Sequence, residues 1–253
     1  SSRSVAVGPD GRVYVSLGIS GNCSDEYLDD SYPFDDRRGG VMMLDESGAQ
    51  PRLRPFASGL RNPVGFDWQP QTGELYASNN GPDHHGFESP PEYFSKLEAE
   101  SFHGMPWFQF DGKTLRRDSC IRSAPPRSRQ AVSLPVATFP ARTAPMGVTF
   151  VPDSALDARF EGNAIVALRG SWGTRPTGSA AGDPASRRPP RLMMVVFREG
   201  EATGVEEVLG GLQRDNGQRL ARPVGVAVGP DGALYFTSDS GLQGLFRLGP
   251  APQ

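Results

Sequence analysis

The residues of this chain best suited to chemistry lie between Gly59 and Gly86, in the run GLRNPVGFDWQPQTGELYASNNGPDHHG. Its first turn, Arg61-Asn62-Pro63, sets a guanidinium and an amide just before an apolar strand, Val64 to Trp68. Strands usually start on apolar or small residues. A guanidinium there can grip a carboxylate or similar oxygens through paired donors; the plainer alternative is that Arg61 caps a turn on a solvated rim. A turn at Gln71-Thr72-Gly73 and a second strand, Leu75 to Ser78, lead to a polar loop, Asn79 to Gly86. Its Asn-Asn-Gly-Pro turns sharply and frees backbone carbonyls. Both polar ends flank one strand pair, which is how a binding site is built on a rigid sheet.

The same loop carries His84 and His85; the third histidine is His103. A histidine pair invites a zinc reading. Zinc needs three or four converging ligands, and the other candidates are scattered along the sequence, so a solvated loop pair is expected. His103 is read as structural. Asp83, Glu88 and Glu92 supply carboxylates that can add ligands or orient the loop; for Glu88 an exposed acid is the plainer reading. The two cysteines, Cys23 and Cys120, both sit in polar, loop-like sequence. Buried free cysteines favour apolar surroundings, so a Cys23–Cys120 disulfide is favoured over two thiols. No Ser-His-Asp phrase, nucleophilic cysteine context or glycine-rich phosphate loop is present.

These residues must be held by a repeated element. One phrase, an alternating strand, a Pro-Asp-Gly-type turn and a second strand, begins at Ser4, Val64, Met146 and Val224. The aligned positions Ser4, Gly65, Gly147 and Gly225 stand 61, 82 and 78 residues apart. Repeats of this kind suit the blades of a β-propeller, with long loops inserted. Outer strands are expected at Gly40 to Asp45, Leu53 to Ala57, Tyr93 to Leu97, Leu134 to Phe139, Leu192 to Arg198, Val205 to Leu209 and Gly244 to Leu248. Helical periodicity is weak, with at most one short turn within Pro91 to Glu100. Arg116 to Gln130 and Thr174 to Pro190 read as loose surface loops.

Composition agrees. Of 253 residues, 37% are apolar, with 31 glycines and 24 prolines, as in a turn-rich all-β protein. A net charge of -3 gives no case for nucleic acid. No apolar run approaches the roughly 18 residues of a membrane span. The chain opens inside a strand pattern, so a single propeller domain over residues 1–253, lacking its N-terminal blades, is expected.

Five short motifs, in order, resemble one family. They are Gly59-Leu60-Arg61-Asn62-Pro63, Asn80-Gly81-Pro82-Asp83, Phe102-His103-Gly104-Met105-Pro106, Leu168-Arg169-Gly170-Ser171-Trp172 and Arg222-Pro223-Val224-Gly225-Val226. The family is that of the soluble quinoprotein sugar dehydrogenases, nearest the sorbosone and aldose sugar dehydrogenase branch. The resemblance implies a six-bladed propeller, of which this chain matches about four blades. It also implies pyrroloquinoline quinone (PQQ), calcium, a small sugar substrate and a periplasmic or secreted location. Carried over by residue, it gives Arg61, Asn62, Arg169, Trp172 and Arg222 to the quinone, and the carbonyls of Gly81 and Pro82, with Asp83 beside them, to calcium. The family's catalytic histidine would fall upstream of Ser1, so no catalytic residue is expected here. Two further departures are Met105, where a tryptophan is usual, and Gly225, where an aspartate is common. A calcium-dependent lactonase-type hydrolase and a non-enzymatic propeller binding protein or glycan are the alternatives. The arginines argue against the lactonase, which needs acids converging on the axis.

Overall fold

The computed structural model describes residues 4–153 and 157–249. The chain forms four successive antiparallel meanders. The first contains Val5–Val7, Val13–Leu17, Gly40–Asp45 and Arg52–Ser58, with the short strand Ser101–Phe102 added in parallel at its outer edge. The second contains Asn62–Trp68, Leu75–Asn80, Glu92–Leu97 and Ala137–Phe139. Pro145–Phe150, Ala164–Leu168, Arg191–Arg198 and Glu201–Leu209 make the third, and Ala221–Val228, Leu234–Gly241 and Gly244–Leu248 the fourth. A separate ribbon pairs Phe108–Phe110 with Leu115–Arg117. No α-helix occurs among the described residues.

The sheets stack because their middle strands are apolar on both faces. In Ala164–Leu168 the side chains alternate. Ala164, Val166 and Leu168 join Tyr76, Phe94, Phe139, Phe150 and Phe197 toward the second sheet. Ile165 and Ala167 join Met194, Leu234 and Phe236 toward the fourth. All five are fully buried. Tyr14, Val41, Phe66 and Leu75 fill the space between the first and second sheets.

Glycines let the first strands of successive sheets touch. A Cβ on Gly65 would stand 2.3 Å from the Met146 carbonyl oxygen, and one on Gly147 2.7 Å from that of Val224. Any side chain there would push the sheets apart. Ser78 Oγ donates to the Met146 carbonyl at 2.6 Å, tying the second sheet to the third.

Several expectations need correcting. The strand expected at Tyr93 to Leu97 is present as Glu92–Leu97, its first four residues buried, and Pro91 to Glu100 holds no helical turn. Asn79 and Asn80 are not loop residues but the last pair of the strand Leu75–Asn80, opposite Pro63 and Asn62. The stretch Arg116 to Gln130 is not loose, since Asp118 and Ile121 within it are buried and Cys120 is bonded to Cys23. That bridge has Cα atoms 5.7 Å apart, as the polar context of both cysteines suggests. The third hairpin's connection includes residues 154–156, which lie outside the described residues.

Candidate functional site

In an antiparallel hairpin the start of one strand and the end of its partner share one end of the sheet. Here Asn62 faces Asn80, Pro145 faces Leu168 and Ala221 faces Gly241. The sheets are joined at this same end. Asn80 Nδ2 donates to the Pro145 carbonyl at 2.7 Å, and Arg222 Nε donates to the Arg169 carbonyl at 3.0 Å. Arg61, the loop from Gly81 to Gly86, Arg169 and Arg222 therefore sit at corresponding sheet ends.

The loop after Asn80 is organised from within by Arg142, whose side chain is almost wholly buried. Its Nη1 donates to the Pro82 carbonyl at 2.9 Å, its Nη2 to the Asp83 carbonyl at 2.7 Å, and its Nε to the Gly86 carbonyl at 2.8 Å. The freed carbonyls of the Asn-Gly-Pro-Asp turn thus converge on one guanidinium. The same group pairs with the Asp83 carboxylate, whose other oxygen accepts from Arg61 Nη2 at 3.4 Å. Arg142 itself is held at φ 70°, and Ala144 at φ 51°, in the left-handed region that side chains disfavour.

Glu92 fixes both strands of this arrangement. It is buried, and its two oxygens accept the Gly81 N–H at 2.5 Å and the Arg142 N–H at 2.8 Å. Burial pushes its carboxyl up to about 7, against the opposing pull of those two amides and the Arg142 charge. Glu92 is thus the residue that orients the loop. Glu88 is exposed and pairs with Arg175 at 3.0 Å and with Arg188.

Around Arg169 the structure gathers cations. Arg222 Nη2 donates to the Gly170 carbonyl at 2.9 Å, and Arg219 Nη2 to the Ser171 carbonyl at 2.6 Å. Arg222 falls to about 10, through burial first and then the charges of Arg169 and Arg187. Arg219 falls to about 10 as well, through burial and then Arg222, Arg187 and Arg169. The acid that pairs with this group is Asp239, 2.8 Å from Arg169. Buried Nε atoms of Arg187 and Arg219 lack a hydrogen-bond partner. Trp172 is 53% exposed, so it presents its face to solvent instead of packing between sheets.

The donors can be tested against the groups the family resemblance implies. A polycarboxylate fits: cations outnumber acids and orphaned N–H donors face no acceptor. For calcium, the Gly81 carbonyl accepts no hydrogen bond among the described residues, and the Pro82 carbonyl keeps a second lone pair beside Arg142. The Asp83 carboxylate is already shared by Arg61 and Arg142. Asn62 donates its amide N–H to Asn79 Oδ1 at 2.9 Å.

Two participants escaped the sequence reading. Arg142 had a signal: like Arg61 and Arg222, it stands one to three residues ahead of a proline within the first three residues of an inner strand. Asp118 had none. It is buried at 2.9 Å from His85 Nε2 and 3.2 Å from His84 Nε2, so the partners expected to be scattered do converge. His103 is buried and hydrogen-bonded to Ser101 Oγ at 3.0 Å, the structural role expected.

A long-looped all-β stack with an arginine-rich end defines the class, and comparison with known proteins gives the family. The model of the glucose / sorbosone dehydrogenase family matches residues 1–247, and the chain belongs to that family. An uncharacterised protein of Borreliella burgdorferi is 27% identical over 194 residues, 76% of this chain and 48% of that protein. The fold is shared with a Trichoderma reesei carbohydrate-active enzyme of family AA12, in its calcium structure (TM-score 0.72, 17% identity, 97% of this chain and 67% of that one). It is shared too with the apo-form of the soluble aldose sugar dehydrogenase of Escherichia coli (TM-score 0.63, 16% identity, 96% and 62%). A third is the PQQ-bound form of the aldose sugar dehydrogenase of Streptomyces coelicolor (TM-score 0.60, 17% identity, 96% and 60%). The chain spans about half the length of the curated relative. No helix among the described residues is long and apolar enough to cross a membrane.

Proposed function

We propose that this chain is the cofactor-holding part of a PQQ- and calcium-dependent sugar dehydrogenase, an arc of about four propeller blades. The observation that carries the reading is the surplus of partly buried guanidinium groups at one end of the sheets. Arg219 and Arg222 are lowered by burial and then by the neighbouring charges of Arg169 and Arg187, with Asp239 as the paired acid. Such a group is stabilised by an anion, and PQQ brings three carboxylates beside its quinone oxygens.

In this reading Arg61, Arg169 and Arg222 hold carboxylate or quinone oxygens, Asn62 adds a donor, and Trp172 offers a flat face. Calcium is assigned to the carbonyls of Gly81 and Pro82, with Asp83 an outer charge that keeps Arg61 and Arg142 in place. When bound, the quinone accepts a hydride from an aldose or related sugar. The chain's own part is to place it: Glu92 and Arg142 set the loop, and the arginines supply a fixed positive field that needs no rearrangement. No residue of the chain is proposed as the catalytic base. The Cys23–Cys120 bridge supports a periplasmic or secreted location, where disulfides persist. Asp83, Glu88 and Asp239 at this end are paired with arginines, which speaks against a lactonase-type centre.

Reconstitution tests the reading. Chain mixed with PQQ and calcium should bind the quinone stoichiometrically, and dye reduction should then be followed with a panel of aldoses. Absence of quinone binding, with or without calcium, would reject the assignment.

A further inference from the structure

We propose that His84, His85 and Asp118 form a binding site for one divalent transition-metal ion of the zinc class, separate from the Gly81 and Pro82 carbonyls. The three side chains come from two loops that lie more than thirty residues apart in sequence, and one ligand atom from each lies within 4.8 Å of the others. Both imidazoles turn the same nitrogen toward one carboxylate. His85 Nε2 is 2.9 Å from Asp118 Oδ2, while His84 Nε2 is 3.2 Å from Oδ2 and 3.3 Å from Oδ1.

Those distances suit a hydrogen-bonded pair and a ligand set alike: His85 at 2.9 Å falls within the charge-assisted range of about 2.7–2.9 Å, and His84 at 3.2 Å sits at the long end of ordinary hydrogen bonds. Ligand atoms around tetrahedral zinc, each about 2.0–2.1 Å from the metal, stand about 3.3 Å from one another. The His84 spacing matches that edge, and the His85 spacing needs only a small opening.

The surroundings are those of a ligand set. The Asp118 side chain has no solvent exposure, and its Oδ1 accepts the Cys120 N–H at 2.9 Å, which fixes the carboxylate plane. The Cys23–Cys120 bridge clamps the Asp118 loop against the segment before Cys23. With the metal on Nε2, each imidazole carries its proton on Nδ1; the His84 ring lies beside Cys23 Sγ, 3.8 Å from Nδ1 and 4.0 Å from Nε2. The histidine side chains are 25% and 33% exposed, which leaves a path for the ion and an open coordination position. Two nitrogens and one oxygen suit zinc, copper or nickel and not calcium, which prefers oxygens alone. Zinc is the ion we assign.

Chelator-stripped, tag-free protein with its disulfide intact should take up one equivalent of zinc chloride in titration calorimetry, with an equal concentration of calcium present. His85→Ala should weaken uptake by roughly tenfold or more, since loss of even an outer partner costs about 10–100-fold. Asp118→Asn should do the same; if it fails to fold, His85→Ala decides alone, because that side chain is partly exposed. Cobalt(II) in place of zinc should give a tetrahedral spectrum without a thiolate charge-transfer band. No zinc uptake, uptake indifferent to His85→Ala, or a thiolate band would each overturn the proposal.

Discussion

Arg142 reaches back 60 residues along the chain to hydrogen-bond the carbonyl of Pro82 at 2.9 Å. One side chain thereby closes the loop on which the proposed calcium carbonyls stand. Removing it strands the carbonyls of Pro82, Asp83 and Gly86 and leaves the Asp83 carboxylate to Arg61 alone. Arg142→Ala should cost about 2–4 kcal/mol, the range for breaking a buried, hydrogen-bonded ion pair, lowered because Asp83 is part-exposed. Urea unfolding measures the loss, and amide exchange should show it concentrated at residues 81–86. Unchanged stability would mean that the loop holds itself.

The contact between inner strands rests on glycine. Gly65→Ala should destabilise by about 1–3 kcal/mol, since a Cβ would meet backbone on the next sheet that cannot move aside alone. Gly225→Ala is the control. There the nearest atom is the Thr237 hydroxyl at 3.0 Å, on a side chain that can rotate, so the loss should be smaller. Equal losses would refute the account of how the sheets meet.

Much of this fold could be read before any coordinates. Alternation plus a Pro-Asp-Gly turn locates hairpins such as Ala221–Val228 with Leu234–Gly241, because period-two patterning is local. Arg61 could be singled out because a charged residue ahead of an apolar strand is locally odd, and Arg222 through the family motif it begins. Arg142 carries the same local signal without its role being legible, and Asp118 carries none. Their meaning lies in partners 60 and 33–34 residues away, and nothing in the flanking residues reports such closures. Asn79 and Asn80 misled because asparagine disfavours strands, yet here the side chain of each makes a specific bond that binds it in place.

Two buried groups make opposite demands on pH. His103 is lowered by burial to about 4, so the unfolded chain takes up its proton first, near the ordinary value of about 6.5. Its contribution to stability therefore falls as pH drops from about 6.5 to 4, by as much as about 3 kcal/mol. Glu92 is raised by burial to about 7, so the folded chain keeps its proton longer, and its contribution falls as pH rises from 4.5 to 7. The two offset each other across the shared window. Subtracting the stability–pH curve of His103→Gln from that of the wild type should give a rising difference through that window. The same subtraction for Glu92→Gln should give a falling one. Flat differences would contradict both assignments.

The Cys23–Cys120 bridge closes a separation of 97 residues. Reduction should lower stability by about 2–4 kcal/mol, chiefly by loosening the unfolded chain's constraint. Thermal melts with and without reductant measure it. Two alkylatable thiols in freshly folded, unreduced protein would show that the bridge does not form.

The most direct test of the central claim is PQQ binding to Arg61→Ala and Arg222→Ala, each against wild type, by titration calorimetry with calcium present. The account predicts that each loss weakens the quinone by about 1.5–3 kcal/mol, the worth of a charge-assisted hydrogen bond, while the melting temperature changes little for Arg61→Ala and falls for Arg222→Ala, which also loses its bonds to the Arg169 and Gly170 carbonyls. Affinity unchanged in both variants would contradict it, because the arginines at the sheet ends would then not be holding the cofactor.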